Sequence, residues 1–177
     1  MNLRWPESQP VLGGDPVILR GWRSSDAQMV YEDCQDETLQ EFTTVPSPYT
    51  MADAEEFVTL GPSLWQAHTG ANFAITDPAD AVIGAISLQN FNEPEASCEV
   101  GYWVADFARG QRVARRAVEL IVGWGRVDLG LARLILKIRR ENTASIAAAL
   151  AAGATPTGVT VDEEARGVVH NFGIYEI

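Results

Sequence analysis

Four arginines, Arg109, Arg112, Arg115 and Arg116, crowd one short stretch of this 177-residue chain. They follow the run Glu99-Val-Gly-Tyr-Trp-Val104 and precede the apolar series Ala114, Ala117, Val118, Ile121, Val122, Gly125. The first run is rich in β-branched and aromatic residues and reads as a strand. The second has helical spacing and predicts a helix from Gln111, with the break at Asp106–Gly110. A helix N-terminus presents unpaired N–H groups and the positive end of the dipole. Guanidinium groups added there make a phosphate site. The alternative is a solvated helix face. Asn142-Thr-Ala-Ser145 is a second candidate and opens another helix, with Asn142 as its cap. On the strand, Glu99, Gly101 and Trp103 share one face, and Gly101 leaves room for a ligand or another backbone.

Charge supports a local anion site. Net charge is −11, yet nine of the thirteen basic residues lie between 109 and 140, opposed there only by Glu119 and Asp128. That stretch therefore carries +7 and the remainder −18. A basic island on an acidic chain suits a small anionic ligand better than a polyanion, and the island lacks interleaved exposed aromatics for stacking on bases. Apolar residues make up 46% and charged residues 21%, ordinary for a globular domain. Cys34 and Cys98 have neither metal nor disulfide spacing and read as packed thiols. His68 and His170 are too far apart in sequence to suggest a metal pair, and no phosphate-cradling Gly-x-x-x-x-Gly-Lys-Ser/Thr occurs. The N-terminal residues lack a signal-peptide layout and Ile146–Ala152 is too short to span a bilayer, so the expected location is cytoplasmic.

The elements that must position these residues follow from periodicity. Residues 1–16 read as an irregular arm, and Val17–Trp22 as the first strand. A helix to about Cys34 starts at Ser24 or Asp26, and a short helical piece covers Glu37–Phe42. Two prolines make Val45–Tyr49 a loop. A helix capped by Thr50 runs to about His68, broken or kinked at Gly61-Pro62. Strands are expected at Asn72–Thr76, Ala81–Leu88 and Ser97–Val104, with a turn at Asp77–Asp80 and a loop at Asn90–Glu95. The long helix ends at Leu129-Gly130. The near-continuous apolar strand Leu131–Arg139 must then lie parallel to Ser97–Val104, because a helix connects them. A helix to Ala152, stopped by Gly153, and a hairpin of 155–161 and 168–175 around a polar loop at 162–167 complete one domain, 17–177. The fold class is α/β (α+β), with a mixed, mostly antiparallel sheet.

Arg109-Gly-Gln-Arg-Val-Ala114, coming after Glu-Val-Gly-Tyr-Trp-Val, resembles the acyl-CoA-binding motif of the GNAT acetyltransferases. The RimJ/RimL-like ribosomal-protein N-acetyltransferase branch is the most similar. Arg109 and Ala114 match the ends of the motif, and Arg112 stands where the family has glycine. The resemblance implies the GNAT fold, with a splayed central parallel strand pair and helices on both faces. It implies acetyl-CoA as cosubstrate, with no metal. Trp103, Val104, Arg109, Gly110, Gln111, Arg112, Val113, Ala114, Arg115, Asn142 and Ser145 are the implied cofactor contacts. Asn142 would meet the pantetheine arm, and Ser145 would give a proton to the leaving thiolate. An N–H at Val104 or Ala105 would stabilise the oxyanion. Glu99 is either the general base or a sheet-edge carboxylate.

The expected activity is acetyl transfer to a primary amine, foremost a protein or peptide N-terminal α-amine, by direct attack in a ternary complex. A small-molecule amine is the alternative acceptor. A non-catalytic acyl-CoA-binding protein is another alternative, because arginine at 112 adds bulk where the family backbone approaches the pyrophosphate. The expected partners are acetyl-CoA and the amine, without nucleic acid or membrane, and a homodimer is left open. The acidic stretches Glu32–Glu41 and Asp53–Glu56 place the acceptor mouth at the Val45–Tyr49 loop, with Trp65 a further lining candidate.

Overall fold

The structure, a computed structural model, describes residues 3–177. Eight strands form one sheet in the order β1-β2-β3-β4-β5-β6-β8-β7. They are β1 (Leu12–Gly14), β2 (Val17–Gly21), β3 (Ala71–Thr76), β4 (Val82–Asn92), β5 (Ser97–Val104), β6 (Arg133–Arg139), β7 (Thr155–Ala165) and β8 (Val168–Glu176). Every pairing is antiparallel except β5 with β6. The helices are α1 (Ala27–Asp33), α2 (Glu37–Phe42), α3 (Met51–Gln66), α4 (Val113–Trp124) and α5 (Thr143–Ala151). No helix among the described residues is long and apolar enough to cross a membrane.

Alternation along the strands splits the core between two faces. Phe73, Ile75, Ile86, Leu88, Cys98 and Val100 bury against Val113, Ala117, Val118, Ile121 and Val122 of α4. On the opposite face Ala74, Val82 and Ala85 meet Trp22, Val30, Leu39, Ala54 and Val58 from the α1–α3 layer. Gly84 permits the close approach of β4 and β5, since a Cβ there would lie 2.4 Å from the Trp103 carbonyl oxygen. Burial also pushes the Cys34 and Cys98 thiols up to about 12, with Glu99 and Asp33 adding to it, so neither is a nucleophile at neutral pH.

Several boundaries differ from the sequence expectation. Leu12–Gly14 pairs with β2, so the end of the N-terminal arm is strand; the first two residues of that arm lie outside the described residues. The helix through Gly61-Pro62 is continuous, because the missing N–H of Pro62 costs one rung while Gly61 packs on Trp22. β4 runs on to Asn92, where a loop was expected. The expected polar loop at 162–167 is strand except for a two-residue turn. Arg166 (φ 52°) and Gly167 (φ 75°) both adopt the left-handed conformation that such a tight hairpin requires. α4 begins at Val113, two residues later than its periodicity suggests, because Arg112 is itself left-handed (φ 64°, ψ 14°).

Candidate active site

β5 and β6 pair only at Ser97↔Arg133, Cys98↔Leu134 and Glu99↔Ile135, and then part although both strands continue. The parting opens a cleft of about 880 Å³. Register says which backbone groups face it. Ala105 N–H donates to the Ile83 carbonyl of β4 (3.0 Å), so Glu99, Gly101 and Trp103 also bond towards β4, and Tyr102 and Val104 turn towards the gap. Of the two oxyanion donors expected, Ala105 is therefore engaged and Val104 N–H faces the opening.

At one end of the cleft lies the arginine loop. The N–H groups of Gly110, Gln111, Arg112, Val113, Ala114 and Arg115 have no backbone partner among the described residues. With α4 behind them they form a cradle of donors at a helix N-terminus, which fits a pyrophosphate. The side chains divide. Arg109 is spent internally: its Nε donates to the Val104 carbonyl (3.2 Å) and its two other nitrogens to Asp106 (3.1 Å) and Asp36 (2.6 Å). Through these contacts Arg109 braces the loop. Arg115 and Arg116 share Glu119 at 2.8 and 3.6 Å. Arg112 is exposed and makes no ion pair among the described residues, which leaves it the guanidinium free for an anion. Its left-handed backbone explains why glycine suits this position.

Across the gap α5 begins. Asn142 Oδ1 accepts from Ser145 N–H (3.0 Å), the expected cap, and its amide nitrogen remains for a ligand. Ser145 Oγ lies 2.7 Å from the Tyr102 hydroxyl, which also stands 3.1 Å from the Ser145 carbonyl oxygen. Burial raises the Tyr102 pKa, with the Ser145 hydrogen bond pulling the other way. Sequence reasoning missed Tyr102. Its only signal was the strand alternation that sets it on the face opposite Glu99 and Trp103, towards α5.

The floor on the other face carries Glu99. Its Oε1 lies 3.2 Å from Lys137 Nζ and its Oε2 accepts from Asn90 (2.9 Å). Lys137 also holds Glu163 of β7 at 2.6 Å, and the Glu163 and Glu99 carboxylates together hold its pKa above the ordinary value against partial burial. Trp22, Phe57 and Trp103 form an aromatic wall, and α2 with Thr43–Val45 forms the roof. Two arginines hold that roof down. Arg139 donates to the Glu41 carbonyl (2.5 Å) and lies over the Phe42 ring at 5.0 Å. Arg166, at the hairpin tip, donates to the Gln40 carbonyl (2.8 Å) and to that of Val45. Lys137, Glu163, Arg139 and Arg166 come from distant sequence and were not foreseen. Trp65 does not line the cleft: it is buried at the far end of the sheet, stacked on Trp124 and edge-on to Trp5. No residue of Asp53–Glu56 lines the cleft either, since Asp53 accepts back from the N–H of Thr50, the α3 cap, and Glu55 and Glu56 face a separate shallow surface.

The strand pair thus parts over a helix N-terminus rich in free N–H groups, leaving a cleft with an anion cradle at one end. The family model described as "Acetyltransferase (GNAT) domain" matches residues 17–155. The chain belongs to the GNAT acetyltransferase family. No curated protein matches it. Among solved structures it is similar to RimL, a ribosomal alpha-N-protein acetyltransferase in complex with coenzyme A (TM-score 0.86, 18% identity, 95% of this chain and 97% of that one). It is also similar to Mycobacterium smegmatis RimJ in complex with CoA-disulfide (TM-score 0.85, 19% identity, 100% and 90%). A third is the microcin C7 self-immunity acetyltransferase MccE in complex with acetyl-CoA and AMP (TM-score 0.83, 19% identity, 93% of each). At these identities the likeness is one of fold.

Proposed function

We propose that the chain transfers the acetyl group of acetyl-CoA to a primary amine, foremost the N-terminal α-amine of a protein or peptide. Acetyl-CoA supplies an already activated thioester, so the protein needs chiefly to hold two substrates together and manage two protons. The free N–H groups of residues 110–115 with Arg112 would take the phosphates, and the amide of Asn142 with the edge of β5 would take the arm. Val104 N–H is the donor available to a developing oxyanion. Ser145 stands on the cofactor side of the gap as proton donor, and Glu99 on the acceptor side as proton acceptor. An α-amine has a pKa of about 8 and is partly neutral at working pH, so a modest base suffices.

The observation that carries the acceptor reading is the Glu99 carboxylate on the cleft floor, held between Lys137 and Asn90. The −11 net charge of the chain adds a long-range attraction for a cationic amine. Of the Val45–Tyr49 loop expected at the acceptor mouth only Val45 lines the cleft, so we propose the mouth beside Thr43–Val45, under the roof that Arg139 and Arg166 hold. The aromatic wall of Trp22, Phe57 and Trp103 favours a second reading, a small-molecule amine with a planar group. The strained Arg112 backbone favours a third, acyl-CoA binding without turnover.

Thiol release from acetyl-CoA separates these readings when run against a free α-amine peptide, its α-blocked lysine counterpart, a polyamine and aromatic amines, at two salt concentrations. The expected result is preference for the free α-amine and a rate that falls with salt. Preference for the blocked lysine peptide would refute the α-amine assignment. Saturable CoA binding with no thiol release on any amine would support the non-catalytic reading.

A further inference from the structure

Ser145 is held at three points, and the third needs a function. Its N–H is fixed by Asn142 Oδ1, its carbonyl belongs to the first turn of α5, and its Oγ lies 2.7 Å from the Tyr102 hydroxyl. The carbonyl gains a helical N–H four residues on and does not require Tyr102. Yet Tyr102 reaches both oxygens, 2.7 Å to Oγ and 3.1 Å to the carbonyl.

Each hydroxyl carries one proton, so the pair can be wired in only two complete ways. In one, Ser145 donates to Tyr102 and Tyr102 donates to the Ser145 carbonyl. The pair is then closed and Ser145 has no proton to offer the cleft. In the other, Tyr102 donates to Ser145 Oγ, and the serine proton must turn away from the tyrosine. Tyr102 comes from β5, the strand that leaves β6, and Ser145 from the helix across the gap. The wiring therefore decides what the opening between them receives.

We propose that Tyr102 is the positioning residue that aims the Ser145 proton into the cleft, by donating its own proton to Ser145 Oγ when the cosubstrate sulfur becomes an acceptor. The Ser145 O–H bond breaks as the proton passes to the developing thiolate, and the tyrosine hydrogen bond compensates the charge building on Oγ. Solvent in the open cleft returns a proton to Oγ, so Tyr102 keeps its own O–H bond throughout. Burial keeps Tyr102 protonated across neutral pH, so this donor is always in place. The inference rests on the Ser145 role proposed above.

The test is a double-mutant cycle of Ser145→Ala and Tyr102→Phe, reading kcat and the KM for acetyl-CoA. Tyr102→Phe keeps the ring and removes one oxygen, and an unchanged Tm and CoA affinity certify its fold. Ser145→Ala is expected to lower kcat about a hundredfold, the low end of what a general acid supplies. Tyr102→Phe alone is expected to lower kcat about tenfold, with KM for acetyl-CoA altered less than about twofold, because it spoils the aim but leaves the donor. Placed on Ser145→Ala, it is expected to change kcat by less than about twofold, since nothing remains to be aimed. Additive losses, or an unchanged kcat in Tyr102→Phe, would overturn the inference while leaving Ser145 as donor. An unchanged kcat in Ser145→Ala would overturn the donor reading and this inference together.

Discussion

Replacing Arg112 by glycine separates two properties that the side chain and the backbone of this residue hold in opposition. The backbone sits at φ 64° and ψ 14°, immediately before α4, and no side chain caps the helix there. An L-residue in this region costs about 1–2 kcal/mol relative to its right-handed form. Glycine removes that cost but adds about 0.5–1 kcal/mol of unfolded-chain entropy. The net is about 0.5–1 kcal/mol of stabilisation, or a Tm rise of about 2 °C at this chain length. The guanidinium pulls the other way. A hydrogen bond to a charged group contributes about 1.5–3 kcal/mol, and exposure to solvent argues for the low end. Loss of Arg112 should therefore weaken CoA about tenfold. Scanning calorimetry of the ligand-free protein reads the first effect, and titration calorimetry with CoA reads the second. Titration with dephospho-CoA then shows whether the 3′-phosphate or the pyrophosphate is the partner. A lower Tm in Arg112→Gly would refute the strain argument. An unchanged CoA affinity would place the guanidinium off the phosphates and leave binding to the backbone cradle.

Three further outcomes are expected. Glu99→Gln should leave acetyl-CoA affinity unchanged and shift the rate–pH profile towards alkaline optimum; an unmoved profile would make Glu99 a structural partner of Lys137 only. Asp33, whose Oδ2 is buried without a hydrogen bond, has its pKa raised to about 6 by burial and by Glu32. It is ionised at a cost that builds as pH rises from about 4 to 6 and is complete above that, so Asp33→Asn should stabilise the protein by about 1 kcal/mol at pH 7.5 and by nothing at pH 4, after discounting for partial exposure. Equal ΔTm at both pH values would refute it. Asp36→Ala removes the α2 cap and should cost about 1 kcal/mol. Although burial opposes its charge, the Arg109 and Leu39 hydrogen bonds hold the Asp36 carboxyl below the ordinary range, so this contribution is present above pH 4 and fades as pH falls through the folded pKa. A pH-independent loss would assign it to packing.

Local signals carried most of the fold. β5 was legible from its own aromatic and β-branched run, the buried stripe of α4 from 3.6-residue spacing, and the parallel pairing of β5 with β6 from the helix between them. The Asn142 cap was equally local. What escaped was set by tertiary context. Asp162, Glu163 and Glu164 read as loop because they are polar, yet β8 pairs with them and Lys137 neutralises Glu163. The start of α4 slipped because periodicity cannot register the positive φ of Arg112. The contact of Arg109 with Asp36 has no local signal, because the two lie 73 residues apart in sequence. The aim of Tyr102 at Ser145 depends on how far β5 and β6 part, which no spacing encodes.

One oxygen atom, Asp36 Oδ1, accepts both from Arg109 of the arginine loop (2.6 Å) and from the Leu39 N–H that starts the roof helix (2.7 Å). The loop that precedes α4 and the first turn of α2 therefore hang on one carboxylate atom. Randomising residues 109–112 removes a partner of Asp36 and loosens the first turn of α2, and with it the cleft roof that this helix carries. A variant of the arginine loop that leaves the roof intact needs Asp36 rebuilt as a cap that no longer requires an arginine.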